Sequence, residues 1–247
     1  MPNVKLISYT GHGHSDPLYA ARVLAYTKST RLQMTPDGFE EFMARPEGEI
    51  LSEIEYMATT IPSSWEFVDL TFAINNVSRA TAQQITRTRT ASFAMQSQRT
   101  TDMSNVTWDA PNSEAITKAE YSGLMKSHIK DYSYLVNKGV SLEDARDLLP
   151  IGVHCNLIAK YNLRGLVDLV RARKSLRAQG PYREVAQQMK EQVLAVWPWA
   201  AAFFSDPRDK AFSMLEEVAV ELQGEGGAMY KGLSGKIAKA IDLIRKG

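Results

Sequence analysis

Two stretches, VKLISYT at 4–10 and WEFVDLTFAINNV at 65–77, place apolar residues at alternating positions, whereas most of the remaining chain repeats them three or four apart. A period of two lines one face of a strand, and a period near 3.6 lines one face of a helix. A chain carrying both, with helical segments in the majority, is expected to fold as α+β. Helices are predicted over 18–29, 36–44, 48–60, 79–87, 113–138, 162–178, 183–197, 208–223 and 234–245. Ser15 or Asp16 followed by Pro17 is a cap and first-turn pair for the first of these, and Ser78 caps the fourth. The breaker cluster GHGHSDP separates the first strand from the first helix. Gly180-Pro181 and Trp197-Pro198 punctuate the later part, but no linker or repeat divides the sequence, so one domain over 1–247 is expected.

At 247 residues the chain can bury a sizeable core. Its 29 Lys and Arg against 28 Asp and Glu leave a net charge of +1, so no overall field calls for nucleic acid or an anionic membrane. A single cysteine, Cys155, excludes an intrachain disulfide and a cysteine-rich zinc site. The opening MPNVKLISYTGHGHSD lacks the apolar core of a signal peptide, and no apolar run reaches the roughly 20 residues of a membrane span. The expectation is a cytoplasmic protein without membrane or nucleic-acid partners.

Charge is distributed unevenly. From Leu70 to Thr101 there is no Asp or Glu, while Arg79, Arg87, Arg89 and Arg99 stand among Ser, Thr and Gln. Arg87 and Arg89 would share one side of an extended chain, and Ser97 with Arg99 could close on the same anion from a loop. Guanidinium forks and hydroxyls suit phosphate oxygens, although a solvated polar strand with surface arginines has the same composition.

Other residues have simpler readings. His12 and His14 could pair on a metal, but they stand in a glycine-broken loop and only four histidines occur in the chain, and no metal is expected. Cys155 reads as a small buried residue, away from the cationic stretch. Arg164, Asp168 and Arg171 have the spacing of an ion-pair ladder, yet with Arg173, Lys174 and Arg177 the cations outnumber what such a ladder requires, so some are expected to face an anion. Trp197, Pro198, Trp199, Phe203 and Phe204 read as core or subunit packing. The basic amphipathic C-terminal stretch receives no function.

The segment QQITRTRTASFAMQSQRTTD resembles the flavin-dependent thymidylate synthases, whose signature is Arg-His-Arg, seven residues and Ser. Here it stands as Arg87-Thr88-Arg89, seven residues and Ser97. The resemblance extends in order through VKLISYT, AARV at 20–23, SSWEFVDLTF at 63–72, GVSLEDARDLLP at 139–150 and YNLRGLVDLVRAR at 161–173.

That resemblance implies a homotetramer of mixed α/β fold, a small antiparallel sheet with helical bundles, and active sites between subunits. It implies conversion of dUMP to dTMP, with methylenetetrahydrofolate giving the carbon and FAD reduced by NADPH giving the hydride. Matched positions put Gln84, Gln96, Ser97, Gln98, Arg99, Arg146 and Arg173 on the nucleotide, with Ser97 and Arg173 nearest the chemistry. Ser63, Glu66, Arg87, Thr88, Arg89, Thr90, Asn162, Arg164, Asp168 and Arg177 fall on the flavin side. The chain departs from the pattern at Thr88, Ile61 and Arg177, which replace histidines, and at Met95, Thr100 and Asp168, which replace an acid, a tyrosine and an asparagine. Hydroxymethyl transfer, dCMP as substrate, and a non-catalytic nucleotide binder stay open as alternatives.

Overall fold

The computed structural model describes residues 2–31, 34–35, 37–173 and 180–205, with 215, 218 and 237. Four strands, β1 (Asn3–Tyr9), β2 (Asp69–Ser78), β3 (Ala91–Met95) and β4 (His154–Asn162), form one sheet in the order β1-β2-β4-β3, antiparallel throughout. The register stacks apolar residues into rungs: Val4, Ile74, Leu157 and Met95 form one, and Leu6, Phe72, Ala159 and Phe93 the next. Leu70, Tyr161 and Ala91 continue the series with Tyr9. Their side chains share one face because strand neighbours two apart point the same way. Leu70, Phe72, Ile74, Ala159 and Tyr161 are wholly buried there. The opposite face carries Ser92, Ala94, Ile158 and Lys160, all exposed.

Helices cover the apolar face: α1 (Tyr19–Tyr26), α2 (Gly38–Met43), α3 (Glu47–Thr60), α7 (Leu163–Ala172), α8 (Gly180–Val196) and the short α9 (Ala201–Phe204). Helix α7 shows why: Leu163, Leu166, Val167 and Leu169 are buried, while Arg164 and Asp168 face out. Helix α8 also closes the β1 edge. Gln188 and Gln192, one turn apart, accept the Val4 and Leu6 backbone N–H groups at 3.0 and 3.2 Å. The helical step of about 6 Å matches two residues of strand at about 6.6 Å. The expected aromatic packing is present, with Trp197 and Phe203 buried and Trp65 edge-on to Phe203 at 4.9 Å.

Helix α4 (Arg79–Ile85) leaves β2 under a Ser78 cap, as expected, the Ser78 hydroxyl accepting from Thr81 N at 3.1 Å. Asp16 supports α1 rather than capping it directly, accepting from Leu18 N at 2.8 Å and from Arg22 Nε at 2.7 Å. Helix α5 (Lys118–Asn137) starts later than expected, where Thr117 and Glu120 form a reciprocal capping box. Helix α6 (Leu142–Ala145) runs into a 3-10 turn at Arg146–Leu148.

Several expectations are corrected. The segment 62–67 is a 3-10 turn and strand β2 begins only at Asp69, because Pro62 opens the turn and Trp65 Nε1 donates to Met57 O at 2.9 Å. Arg87 and Arg89 do not sit on an extended strand. Thr86, Arg87 and Thr88 N–H groups still bond back to Ala82, Gln84 and Ile85, so the signature lies in a turn leaving α4. Strand β4 was not anticipated, since the outward Ile158 and the small inward Ala159 blur its alternation. The ion-pair ladder on α7 does not form: Arg164 bonds Glu66, and Arg171 donates to the Phe203 and Ser205 carbonyls. The segments 208–223 and 234–245, with Lys174 and Arg177, lie outside the described residues apart from 215, 218 and 237.

Candidate active site

The expected site residues gather into three groups, set by the two ends of β3 and by the start of α8. At the Met95 end, β3 runs into Gln96, whose N–H donates to Asn156 O at 2.9 Å and whose side-chain oxygen accepts from Asn156 Nδ2 at 3.1 Å. Asn156 Oδ1 in turn accepts from Asn76 N at 3.0 Å, at a bulge where Asn76 adopts a left-handed φ of 56°. Arg79 donates to Gln96 O at 3.3 Å. This framework fixes the turn that follows, in which Ser97 Oγ accepts from Arg99 N at 3.2 Å and Gln98 and Thr100 lie alongside.

Arg99 is exposed and lies 4.0 Å from Glu143 on α6, with 64% and 53% of the two side chains accessible. So long and wet an ion pair constrains the guanidinium little. Arg146 starts the next turn of the same segment, three residues beyond Glu143. The turn carrying Ser97 and Arg99 thus meets α6 from a distant part of the sequence through Glu143, which leaves the Arg99 guanidinium available to a dianion. Cys155 is buried as expected, but next to this framework rather than apart from it. Burial pushes its thiol up, with the nearby Arg79 opposing.

At the Ala91 end lie Thr90, Asn162, Arg164 and Glu66. Asn162 caps α7 by accepting from Gly165 N at 2.8 Å. A side chain at Gly165 would meet the Asn162 amide oxygen and the Thr90 hydroxyl, each at 3.2 Å, so glycine lets the signature turn sit on the α7 N-terminus. Arg164 Nη1 donates to Glu66 at 2.6 Å. Ser63 is exposed on the preceding 3-10 turn and lines, with Tyr26, Phe39, Ile61 and Phe67, a cavity of about 380 Å³. Ile61 itself is buried in the core. Arg87 and Arg89 are exposed beside this group.

The third group joins the signature turn to the end of α7. Thr88 and Tyr182 hydroxyls stand 3.2 Å apart, and the Arg173 guanidinium lies over the Tyr182 ring, 4.4 Å from its centre. Gln84 belongs here too, its carbonyl accepting from Arg87 N at 3.3 Å. Tyr182 and Tyr161 were missed by sequence reasoning, as were Asn156 and Glu143. The only signal for Tyr182 was an aromatic residue in a polar, arginine-rich stretch. Asp168 is exposed, away from these contacts.

His12 and His14 are occupied by aromatic neighbours, stacking on Tyr9 at 4.8 Å and on Tyr19 at 4.1 Å. No helix among the described residues is long and apolar enough to cross a membrane.

The family described as thymidylate synthase complementing protein matches residues 5–199, and the chain belongs to that family. That span contains β2, β3, β4, most of β1 and every candidate site residue. A protein named flavin-dependent thymidylate synthase from Nitratidesulfovibrio vulgaris is 32% identical over 200 residues, covering 76% of this chain and 80% of that one. A protein of the same name from Sulfurisphaera tokodaii is 29% identical over 202 residues, covering 79% and 75%. These relatives are methyltransferase-type enzymes. Among solved structures, thymidylate synthase X from Helicobacter pylori, with FAD and dUMP, has a TM-score of 0.63 at 16% identity, covering 83% of this chain and all of that one. The UMP/dUMP methylase PolB from Streptomyces cacaoi, bound with 5-Br dUMP, has a TM-score of 0.62 at 19% identity, covering 82% and 94%. At these identities the two structures support the fold.

Proposed function

We propose that this chain, as a single domain, catalyses one-carbon transfer to C5 of a pyrimidine deoxynucleotide, and specifically the reductive methylation of dUMP to dTMP. The observation that carries this reading is the turn of Ser97 and exposed Arg99, whose guanidinium is only loosely paired with Glu143, within a chain whose relatives are named flavin-dependent thymidylate synthases. Arg146 would add a second guanidinium from the neighbouring segment. A nucleotide phosphate is a dianion, and charge-assisted bonds hold it while its base reacts. Arg173 then presents positive charge to the pyrimidine, stabilising the negative charge that develops on the ring as C5 becomes nucleophilic. Gln84, Gln96 and Gln98 supply amide groups around the sugar and base.

The flavin-side residues suit FAD by their chemistry. Arg87 and Arg89 are exposed donors on a turn that rests, through Thr90, on the α7 N-terminus, as a dinucleotide's phosphates require. Arg87, Arg89, Thr90, Asn162 and Arg164 would hold the cofactor, with Ser63 and Glu66 beside them. When bound, FAD reduced by NADPH supplies the hydride, and methylenetetrahydrofolate supplies the carbon. The Ser97–Arg99 turn lies at one end of β3 and the flavin-side residues, with Arg173 beside the signature turn, towards the other, which favours a homotetramer whose sites draw on more than one subunit. The exposed sheet face around Ala94 and Ile158 offers a surface for that assembly.

A second reading, hydroxymethyl transfer or use of dCMP, is favoured by one observation: the signature histidine is replaced by Thr88, which is already engaged with Tyr182. The test is the visible spectrum of purified protein reconstituted with FAD, then mass spectrometry of the product. A retained flavin band that shifts with dUMP, together with dTMP as product, supports reductive methylation. A 5-hydroxymethyl product establishes the second reading, and nucleotide binding without product marks a non-catalytic descendant.

A further inference from the structure

The signature turn and the C-terminal end of α7 are joined through one side chain outside both. Tyr182 is buried in the first turn of α8, and it presents two distinct surfaces. Its hydroxyl meets Thr88 at 3.2 Å, and its ring face carries the Arg173 guanidinium at 4.4 Å. Stacking on a ring fixes the plane of a guanidinium but leaves its in-plane donors free for a ligand. Among the described residues Arg173 is held in little else: its backbone N–H closes α7 on Leu169 O and Val170 O, and its Nε is buried without a hydrogen-bond partner there. The buried Tyr161 hydroxyl neighbours both Thr88 and Tyr182. Among the described residues Thr88 is the hydrogen-bond partner of the Tyr182 hydroxyl, and so the polar contact that orients its ring.

We infer that Tyr182 is a positioning residue for Arg173, with Thr88 and Tyr182 together setting the angle at which that arginine meets the nucleotide base. The inference rests on the reading of Arg173 as the base-side arginine. It adds a device in which a hydroxyl pair, at the place where the family signature has a histidine ring, ties the signature turn to the catalytic arginine. The ring supplies the surface and the hydroxyl contact supplies its orientation, so the two contributions separate by mutation. Tyr182→Phe keeps the stacking surface and removes the contact to Thr88. Tyr182→Leu removes both, and Thr88→Val removes the contact from the other side.

The test compares equilibrium binding of two probes by calorimetry: dUMP, and 2-deoxyribose 5-phosphate, which has the sugar and phosphate but no base. Tyr182→Leu is expected to weaken dUMP binding about three- to ten-fold, the range of a lost cation–ring contact, while changing the baseless probe less than about two-fold. Tyr182→Phe and Thr88→Val are expected to show a smaller loss, also confined to dUMP, and the double variant no more than either alone. If Tyr182→Leu does not fold, those two milder variants decide the question. Weakening of both probes together, or unchanged dUMP binding in the Tyr182 variants while Arg173→Ala loses it, overturns the inference. Unchanged dUMP binding in Arg173→Ala removes instead the assignment of that arginine to the base.

Discussion

Arg99 carries the clearest residue-scale consequence, because its one ion pair among the described residues is long and solvent-exposed. Arg99→Ala and Arg173→Ala are each expected to weaken dUMP binding by more than about 1 kcal/mol, as lost charged donors do. Calorimetry with dUMP checks this, and unchanged affinity in both would remove the site map. Tyr161 makes a different prediction. Burial pushes its hydroxyl up, with Tyr182 adding to the shift. A group raised in the folded state contributes stability that is complete below its unfolded value of about 10 and is lost as pH rises toward the folded value. Tyr161→Phe removes this titrating group together with its contact to the Thr88 hydroxyl, which opposes the shift. The difference in melting temperature between variant and unchanged protein should move in favour of the variant as pH rises above about 10. The arginines were legible from sequence because an acid-free cationic stretch stands out in composition. Tyr182 and Asn156 were not, because their roles arise from contacts bridging 94 and 80 residues.

Helix α8 acts on the sheet through two amides, so its contribution can be measured at the scale of the element. Gln188→Ala and Gln192→Ala each leave a β1 backbone donor without its partner, and each should cost about 1 kcal/mol of stability in denaturant titrations. Helix α5 depends on its start instead: Thr117→Ala opens the capping box and should cost about 1 kcal/mol. Most helices were readable because their apolar faces repeat every three to four residues over two turns or more. Strands β3 and β4 were less so. Five residues give β3 a short pattern, and β4 exposes Ile158 on the face where alternation calls for a polar side chain. The turn at 86–90 defeated the extended reading because spacing of two says nothing about backbone bonds back into α4.

At the scale of the whole molecule, the placement of Arg99 and Arg173 predicts complementation. The two belong to groups separated by β3, whose five residues span about 13 Å. If each site takes Arg99 from one subunit and Arg173 from another, neither variant is active alone. A refolded equimolar mixture should then recover about a quarter of the normal activity through random pairing of intact halves. No recovery would place both arginines in the same chain's site. Sequence could indicate the family and the residue types, but it could not show this division, since strand order is a property of pairing. The order also gives the sheet a direction of growth. By taking up the outward donors of β1, Gln188 and Gln192 make that strand behave as an interior one, and among the described strands β3 alone keeps a free flank. Any strand added from outside would have to join there, directly against the segment that links the proposed cofactor-side and nucleotide-side groups, so the polarity of the sheet makes the edge beside the proposed site also its sticky one.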